Sequence, residues 1–244
     1  MIKPNFRRSS PLLLGIQETY NINPADGLYG PVTGKALDSI NVVMSDIPIE
    51  YRIAEVISLF EMGNCRNVWY ARSEVPEDGA GTNYGFLQVN KYGSLQAIKE
   101  MCPYEDVETF FSSPMCVQVQ WEYFLRHIVD KVVRFGFESD RDFLMKCDVL
   151  TQHGSLIPAK APKTWQGVQL DAGDVATIQE YYRTMSVREA FLRAISTIPG
   201  AYCELRPLAG SLRWLEDSRS RRRTCYHGFG KVHGELYDLS LFGF

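Results

Sequence analysis

The chain has 244 residues, with 26 basic and 29 acidic side chains and a net charge of −3. This length predicts a small module joined to a domain of about 190 residues. The near balance of charge argues against nucleic acid as the ligand, because such binders neutralise phosphates with a strong positive field.

The N-terminal region does not have the pattern of a membrane or secretion signal. Only five consecutive apolar positions, 12–16, follow its basic residues, which is too short for a signal-peptide core or a membrane span. We therefore expect synthesis in the cytoplasm as a soluble protein, with no stable membrane insertion.

The predicted elements are mainly helices. Residues 12–43 predict two short helices, and the link 44–48 predicts a domain boundary near Ser45, giving a module at 1–45 and a second domain at 46–244. Next, apolar residues at helical spacing predict a helix that ends at Gly63. Later helices are predicted at 94–101, 104–111, 114–133, 140–150, 174–185 and 187–198, while strand-like alternation is scarce.

A compact motif in the first segment combines a short helix, a turn and the start of a second helix. A Gln-containing helix is followed by Asp-Gly, an aromatic residue, Gly-Pro-x-Thr and Ala-Leu. The order resembles the peptidoglycan-binding domain of cell-wall hydrolases, which implies that the segment holds the protein against the wall polymer. The alternative is a small helical module that only packs, since many of these residues also serve turns and helix starts. The matching residues are Gln17, Asp26, Gly27, Tyr29, Gly30, Pro31, Thr33, Ala36 and Leu37.

Two acidic residues have the properties required for cleaving a glycosidic bond. That reaction uses one protonated carboxyl group and one carboxylate on opposite sides of the bond. Glu61 lies in the last turn of an apolar helix, where loss of hydration raises the pKa of a carboxyl group. Asp78 lies in a glycine-rich loop whose backbone donors keep a carboxylate ionised. The alternative is a solvated glutamate at a helix end and an aspartate that forms a turn.

A glutamate at a helix end is followed by Asp-Gly-x-Gly-Thr-x-x-Gly-Phe-x-Gln, carried by Glu61, Asp78, Gly79, Gly81, Thr82, Gly85, Phe86 and Gln88. This motif resembles the lysozyme superfamily, in particular family 46 chitosanases and phage muramidases. A second segment, "CDVLTQHGS", is similar to the chitosanase group and contains Asp148, His153 and Gly154. The resemblance implies a helix-rich, two-lobed catalytic domain.

The same resemblance implies roles for individual residues. Glu61 becomes the general acid, and Asp78 the base that activates water oriented by Thr82; Glu77 and Glu74 remain alternatives for the second carboxylate. The cleft-lining side chains become Tyr84, Gln88 and Asn90, with His153 either touching substrate or capping a helix.

Two further groups of charged side chains have competing interpretations. As the resemblance suggests, Asp148 forms a buried ion pair with an arginine of the run 219–224, supporting Glu61 from behind; otherwise that run is a solvated or wall-facing surface. His227 and His233 lack the partners of a zinc site. The six cysteines contain no CxxC pair, so we expect mostly buried thiols and no cofactor or metal.

These observations predict an endolysin that cleaves the β-1,4 bond between N-acetylmuramic acid and N-acetylglucosamine. Such a monomer accumulates in the host cytoplasm without a signal peptide and acts on peptidoglycan strands in the periplasm or cell wall after release; a delivered antibacterial effector has the same features. The alternatives are a chitosanase and a non-catalytic wall-binding or virion protein. Hydrolysis and lytic transglycosylation both stay open, as do retention and inversion of configuration.

Overall fold

The computed structural model describes residues 1–74, 81–91, 94–101, 106–153, 172–185, 190, 193–194 and 212–244. The chain is mainly helical, as predicted. Its described helices are α1 Pro11–Thr19, α2 Pro31–Leu37, α3 Ile49–Met62, α4 Leu95–Glu100, α5 Val107–Phe110, α6 Met115–Phe124, α7 Asp130–Phe135, α8 Asp140–His153, α9 Ala172–Thr184 and α10 Leu212–His227. The described strands are β1 Arg72–Glu74, β2 Thr82–Tyr84, β3 Phe229–Val232 and β4 Glu235–Asp238.

The chain forms two compact units. The first contains Pro4–Phe137 and Leu241–Gly243, and the second contains Met1–Lys3, Glu138–Ser240 and Phe244. The boundary predicted near residue 45 falls inside the first unit, and the peptidoglycan-binding module stays a prediction.

Helix α3 is the centre of the first unit. Every residue from Tyr51 to Phe60 is buried, including three polar ones, so the helix is enclosed on all sides and not only along its apolar stripe. Helix α1 packs against it, and seven of its nine residues are buried. Gly15 permits this approach, because a Cβ atom there would lie 2.5 Å from Cγ of Tyr51. Close packing of α1 on α3 therefore accounts for a glycine within an apolar helix.

A β-hairpin follows α3 in the region that the sequence analysis treated as a loop. Strands β1 and β2 are antiparallel, with Glu74 opposite Thr82 and Arg72 opposite Tyr84. The long helix predicted at 114–133 is confirmed as α6 and α7, which are joined through a π-helical turn at Leu125–Val129. Its apolar side supplies buried Phe124 and Val132 to the core.

In the second unit, α8 and α10 pack against each other and α10 packs against the hairpin of β3 and β4. The two strands are antiparallel and are connected by His233 and Gly234, whose φ angles are 50° and 86°. Two successive residues with positive φ are typical of the tightest hairpin turn. The predicted helices at 140–150 and 174–185 correspond to α8 and α9, whereas most of the one predicted at 187–198 lies outside the described residues.

Candidate active site

The end of α3 places Glu61 as the sequence predicts. The helix stops at Gly63, whose φ of 56° requires glycine and whose N–H donates to the carbonyl of Leu59 at 2.8 Å. Glu61 is half-buried in the final turn. The sulfur atom Sδ of the neighbouring Met62 accepts a hydrogen bond of 3.4 Å from Nε2 of Gln88. The helix end that carries the candidate acid therefore meets the segment that follows β2.

Of the three candidates for the second carboxylate, the structure describes only Glu74. Asp78 and Glu77 lie outside the described residues, in the segment that connects β1 to β2. Glu74, the remaining alternative, is exposed on β1 and accepts a hydrogen bond of 3.1 Å from the hydroxyl of Thr82. Thr82 thus holds one of the three candidate carboxylates, whereas its predicted role in orienting water stays a prediction.

The hydroxyl of Tyr84, one of the predicted cleft residues, is bonded to another side chain. Tyr84 is 8% exposed, stacks on Phe111 and donates to Glu108 at 2.5 Å. Burial and this hydrogen bond raise the pKa of the Tyr84 phenol. Glu108 also forms an ion pair with Arg72 on the facing strand. The ring of Tyr84 therefore supports the hairpin, and its hydroxyl is directed at a carboxylate.

The two predicted amide residues also bond to the hairpin. Gln88 has a φ of 49°, accepts from the hydroxyl of Ser73 and donates to the carbonyl of Gly85 at 2.9 Å. Asn90 donates to Oδ1 of Asn83 at 2.6 Å. Both side chains are half-buried and held by hydrogen bonds, and Gln88 is the one that contacts the end of α3.

Gln120, which was not among the predicted site residues, is a buried side chain that fixes the turn after β2. Its Oε1 accepts from the N–H of Phe86 at 3.1 Å, while its Nε2 donates to the carbonyls of Trp69 and Cys116 at 2.9 and 3.1 Å. Gly85, with a φ of 67°, lies so close that a Cβ atom would be 1.7 Å from Oε1 of Gln120. Its position among the apolar residues of the predicted helix 114–133 was the sequence signal that this glutamine is buried.

Three of the residues predicted for wall binding form one internal network. Gln17 is fully buried, accepts from the N–H of Gly27 at 2.7 Å, and donates to Asp26 at 3.2 Å and to Thr33 at 3.1 Å. Asp26 in turn accepts from the N–H of Leu28 at 2.9 Å. The buried side chains of Gln17 and Thr33 therefore stabilise the turn at residues 26–28 through internal hydrogen bonds.

Tyr29, the fourth residue predicted for wall binding, is half-buried. Its N–H donates to the hydroxyl of Ser9 at 2.9 Å, and its own hydroxyl lies where a Cβ atom on Gly34 would approach to 2.8 Å. Asp26 and Tyr29 are the more exposed members of the predicted wall-binding set, and their contact with the wall stays a prediction.

The ion pair predicted for Asp148 is confirmed within the second unit. Asp148 is fully buried on α8 and binds both Arg221 and Arg222 of α10, which are 1% and 0% exposed. This burial contradicts the alternative in which these two arginines lie on a solvated surface. Arg222 also donates to Gln152, whose amide donates to Asp217 at 3.1 Å.

Neither of the two histidines considered for a metal site, His227 and His233, belongs to a cluster of three possible ligands within the described residues. His233 forms an ion pair with Asp217. Within the described part of the chain, no cluster of three or more His, Cys, Asp or Glu side chains is placed to hold a metal ion. The side chain of His153, together with Gly154, lies outside the described residues.

Four of the six cysteines fall within the described residues. Cys116, Cys147 and Cys225 are buried, as expected, and Cys65 is half-buried. Burial raises the pKa of Cys225 to about 12, so its thiol stays protonated at neutral pH.

Comparison with known proteins identifies no relative. No family model matches the chain, and no curated protein or solved structure is significantly similar to it. None of the described helices is both long and apolar enough to cross a bilayer.

Proposed function

We propose that the protein is a peptidoglycan hydrolase that cleaves the β-1,4 bond between N-acetylmuramic acid and N-acetylglucosamine. The observation that supports this proposal is the contact between the last turn of α3, which carries Glu61, and Gln88 after the β1–β2 hairpin. The connection between the two strands of that hairpin contains Asp78. A helix-end glutamate beside a polar hairpin suits a reaction that needs two carboxyl groups from different elements.

In the proposed mechanism, Glu61 protonates the glycosidic oxygen as the bond to the sugar C1 breaks. Asp78 accepts a proton from the water that attacks C1, and Glu61 is reprotonated from solvent. Gln88 and Asn90 belong to the polar surface that binds the sugars, Tyr84 supports the adjoining hairpin from a buried position, and Thr82 lies near the attacking water. The fold that accompanies this mechanism is a two-lobed, lysozyme-like domain.

The biological role that we propose is that of an endolysin. A monomer accumulates in the host cytoplasm and acts on glycan strands in the periplasm or wall after release. Residues 1–45 hold it on the polymer through the exposed surface near Asp26 and Tyr29. Such attachment raises the local concentration of enzyme without adding a catalytic group.

A chitosanase is the second candidate, and one specific observation favours it. The buried ion pair of Asp148 with Arg221 and Arg222 is the arrangement that the resemblance to family 46 chitosanases implies. The wall-binding motif at 1–45 favours peptidoglycan, so chitosanase activity remains the alternative.

Digestion of purified peptidoglycan and chitosan in parallel tests both candidates. We expect new reducing ends from peptidoglycan with the wild type and none with Glu61→Gln. Glu50→Gln is the matched control, because Glu50 lies in the first turn of the same helix. Release of glucosamine oligomers would support the chitosanase, and absence of any product would leave a non-catalytic binding protein.

The role of the second carboxylate is tested separately. If Asp78→Asn abolishes cleavage, Asp78 activates water. If cleavage continues and yields anhydro-sugar ends, the protein is a lytic transglycosylase, which needs the acid and no water-activating base.

A further inference from the structure

Arg8 is a buried arginine that contacts both the body of α3 and the chain that leaves it. Its side chain is 1% exposed and forms an ion pair of 2.5 Å with Glu55, which is equally buried. The same guanidinium donates to the hydroxyl of Ser58 at 3.0 Å. It also donates to the carbonyls of Cys65 at 2.8 Å and Gly63 at 3.1 Å.

These two carbonyls belong to the residues that directly follow the helix carrying Glu61. A backbone carbonyl that is buried needs a hydrogen-bond donor, since an unpaired buried polar group costs free energy. Arg8 is that donor for Gly63, the residue after Met62, and for Cys65, two positions further on. Because the guanidinium is planar and rigid, it fixes these carbonyls relative to Glu55 and Ser58 on the preceding turns.

The backbone next to Arg8 extends the same attachment. The N–H of Ser9 donates to the carbonyl of Arg66 at 3.0 Å, and the carbonyl of Ser9 accepts from the N–H of Val68 at 3.1 Å. Ser9 and Asn67 form an isolated bridge. The N-terminal segment thus holds residues 63–68 at several successive points, immediately after the turn that contains Glu61.

We infer that Arg8 is a positioning residue for Glu61, an inference that rests on the proposed function. By joining Glu55 and Ser58 to the carbonyls of Gly63 and Cys65, it sets the direction of the final turn of α3. A general acid displaced by about 1 Å loses much of its effect, since proton transfer requires hydrogen-bond distance to the leaving oxygen. The N-terminal segment then contributes to catalysis itself, in addition to any role in wall binding.

The test compares Arg8→Lys with Arg52→Lys. A lysine at position 8 keeps the charge opposite Glu55, but its single ammonium group cannot also reach both carbonyls. Arg52 is the matched control: it is 7% exposed on the same helix and donates to the carbonyls of Ile47 and Gly243 at 3.1 and 2.6 Å. Its contacts lie towards the opposite end of α3 from Glu61.

The measurements are urea unfolding, kcat and KM on purified peptidoglycan, and the pH–rate profile. We expect both variants to lose stability. Only Arg8→Lys is expected to lower kcat by about tenfold or more with little change in KM, and to shift the alkaline limb of the profile, which reports the general acid. Equal kcat values and equal profiles for the two variants would overturn the inference.

A second variant keeps the inference testable if Arg8→Lys does not fold. Gly63→Ala strains the same helix exit, because its φ of 56° disfavours alanine, while the added Cβ atom meets nothing within 4 Å. We expect it to fold with a lower kcat, and an unchanged kcat would overturn the inference. If Glu61→Gln is fully active, the proposed function fails and the inference fails with it. If Glu61→Gln is inactive and Arg8→Lys matches Arg52→Lys, the inference alone fails.

Discussion

Replacing Gly85 by alanine tests how the turn beside the candidate site is held. The φ of 67° at this position costs a residue with a Cβ atom about 1–2 kcal/mol. The new Cβ atom would lie 1.7 Å from Oε1 of Gln120, so that side chain must move. Movement leaves the buried N–H of Phe86 without its acceptor, at a cost of about 1–3 kcal/mol. We expect Gly85→Ala to lose about 2–5 kcal/mol of unfolding free energy in total.

Two other glycines supply controls for the separate contributions. Gly81 has a φ of 76° but open space around its Cβ position, so Gly81→Ala should lose only the conformational part, about 1–2 kcal/mol. Gly30 has a φ of −140° and also open space, so Gly30→Ala should change stability by less than about 0.5 kcal/mol. Urea unfolding followed by circular dichroism measures all three variants. An equal loss for Gly81→Ala and Gly85→Ala would refute the reasoning about Gln120.

The remaining predictions concern Gln17 and Asp217. Gln17→Leu leaves the N–H of Gly27 without its acceptor and should lower the free energy of unfolding in urea by about 1–3 kcal/mol. A variant of unchanged stability that no longer sediments with insoluble peptidoglycan would instead make Gln17 a wall contact. Burial alone would raise the pKa of Asp217, but the hydrogen bond from His233 and the charge of Arg221 outweigh it and lower that pKa. Because the folded pKa is depressed, the stabilisation is present above the unfolded value near 3.8 and is lost as pH falls through the folded value. The unfolding free energies of wild type and Asp217→Asn should therefore converge between about pH 5 and pH 2, and a constant difference would contradict this assignment.

Much of the helical framework follows from the sequence because its signals are local. Apolar spacing and a glycine with positive φ define the end of α3, so the position of Glu61 in the last turn was predictable. The ion pair of Asp148 was also anticipated, but only through a resemblance. No local pattern specifies that two residues 73 positions apart will be buried together.

The sequence did not predict the two β-hairpins or the burial of the glutamine side chains. Strands β1 and β2 have three residues each, too few for alternation to stand out. In the second hairpin, His233-Gly234 between short alternating segments was a usable signal, but the histidines were considered only for a zinc site, which the sequence disfavoured. Gln17 entered the wall-binding set through a resemblance, and its burial was not predictable because a buried glutamine and an exposed one look alike in a sequence.

The long separation between Arg8 and its partners has a consequence for synthesis. Arg8 precedes its partners Glu55 and Cys65 by 47 and 57 residues in the order of synthesis. Until α3 emerges, the nascent chain exposes the apolar surface of α1 that α3 covers in the folded protein, a condition that favours aggregation or chaperone binding. Translation that stops before Ile49 therefore yields a polypeptide in which α1 cannot complete its native contacts with α3.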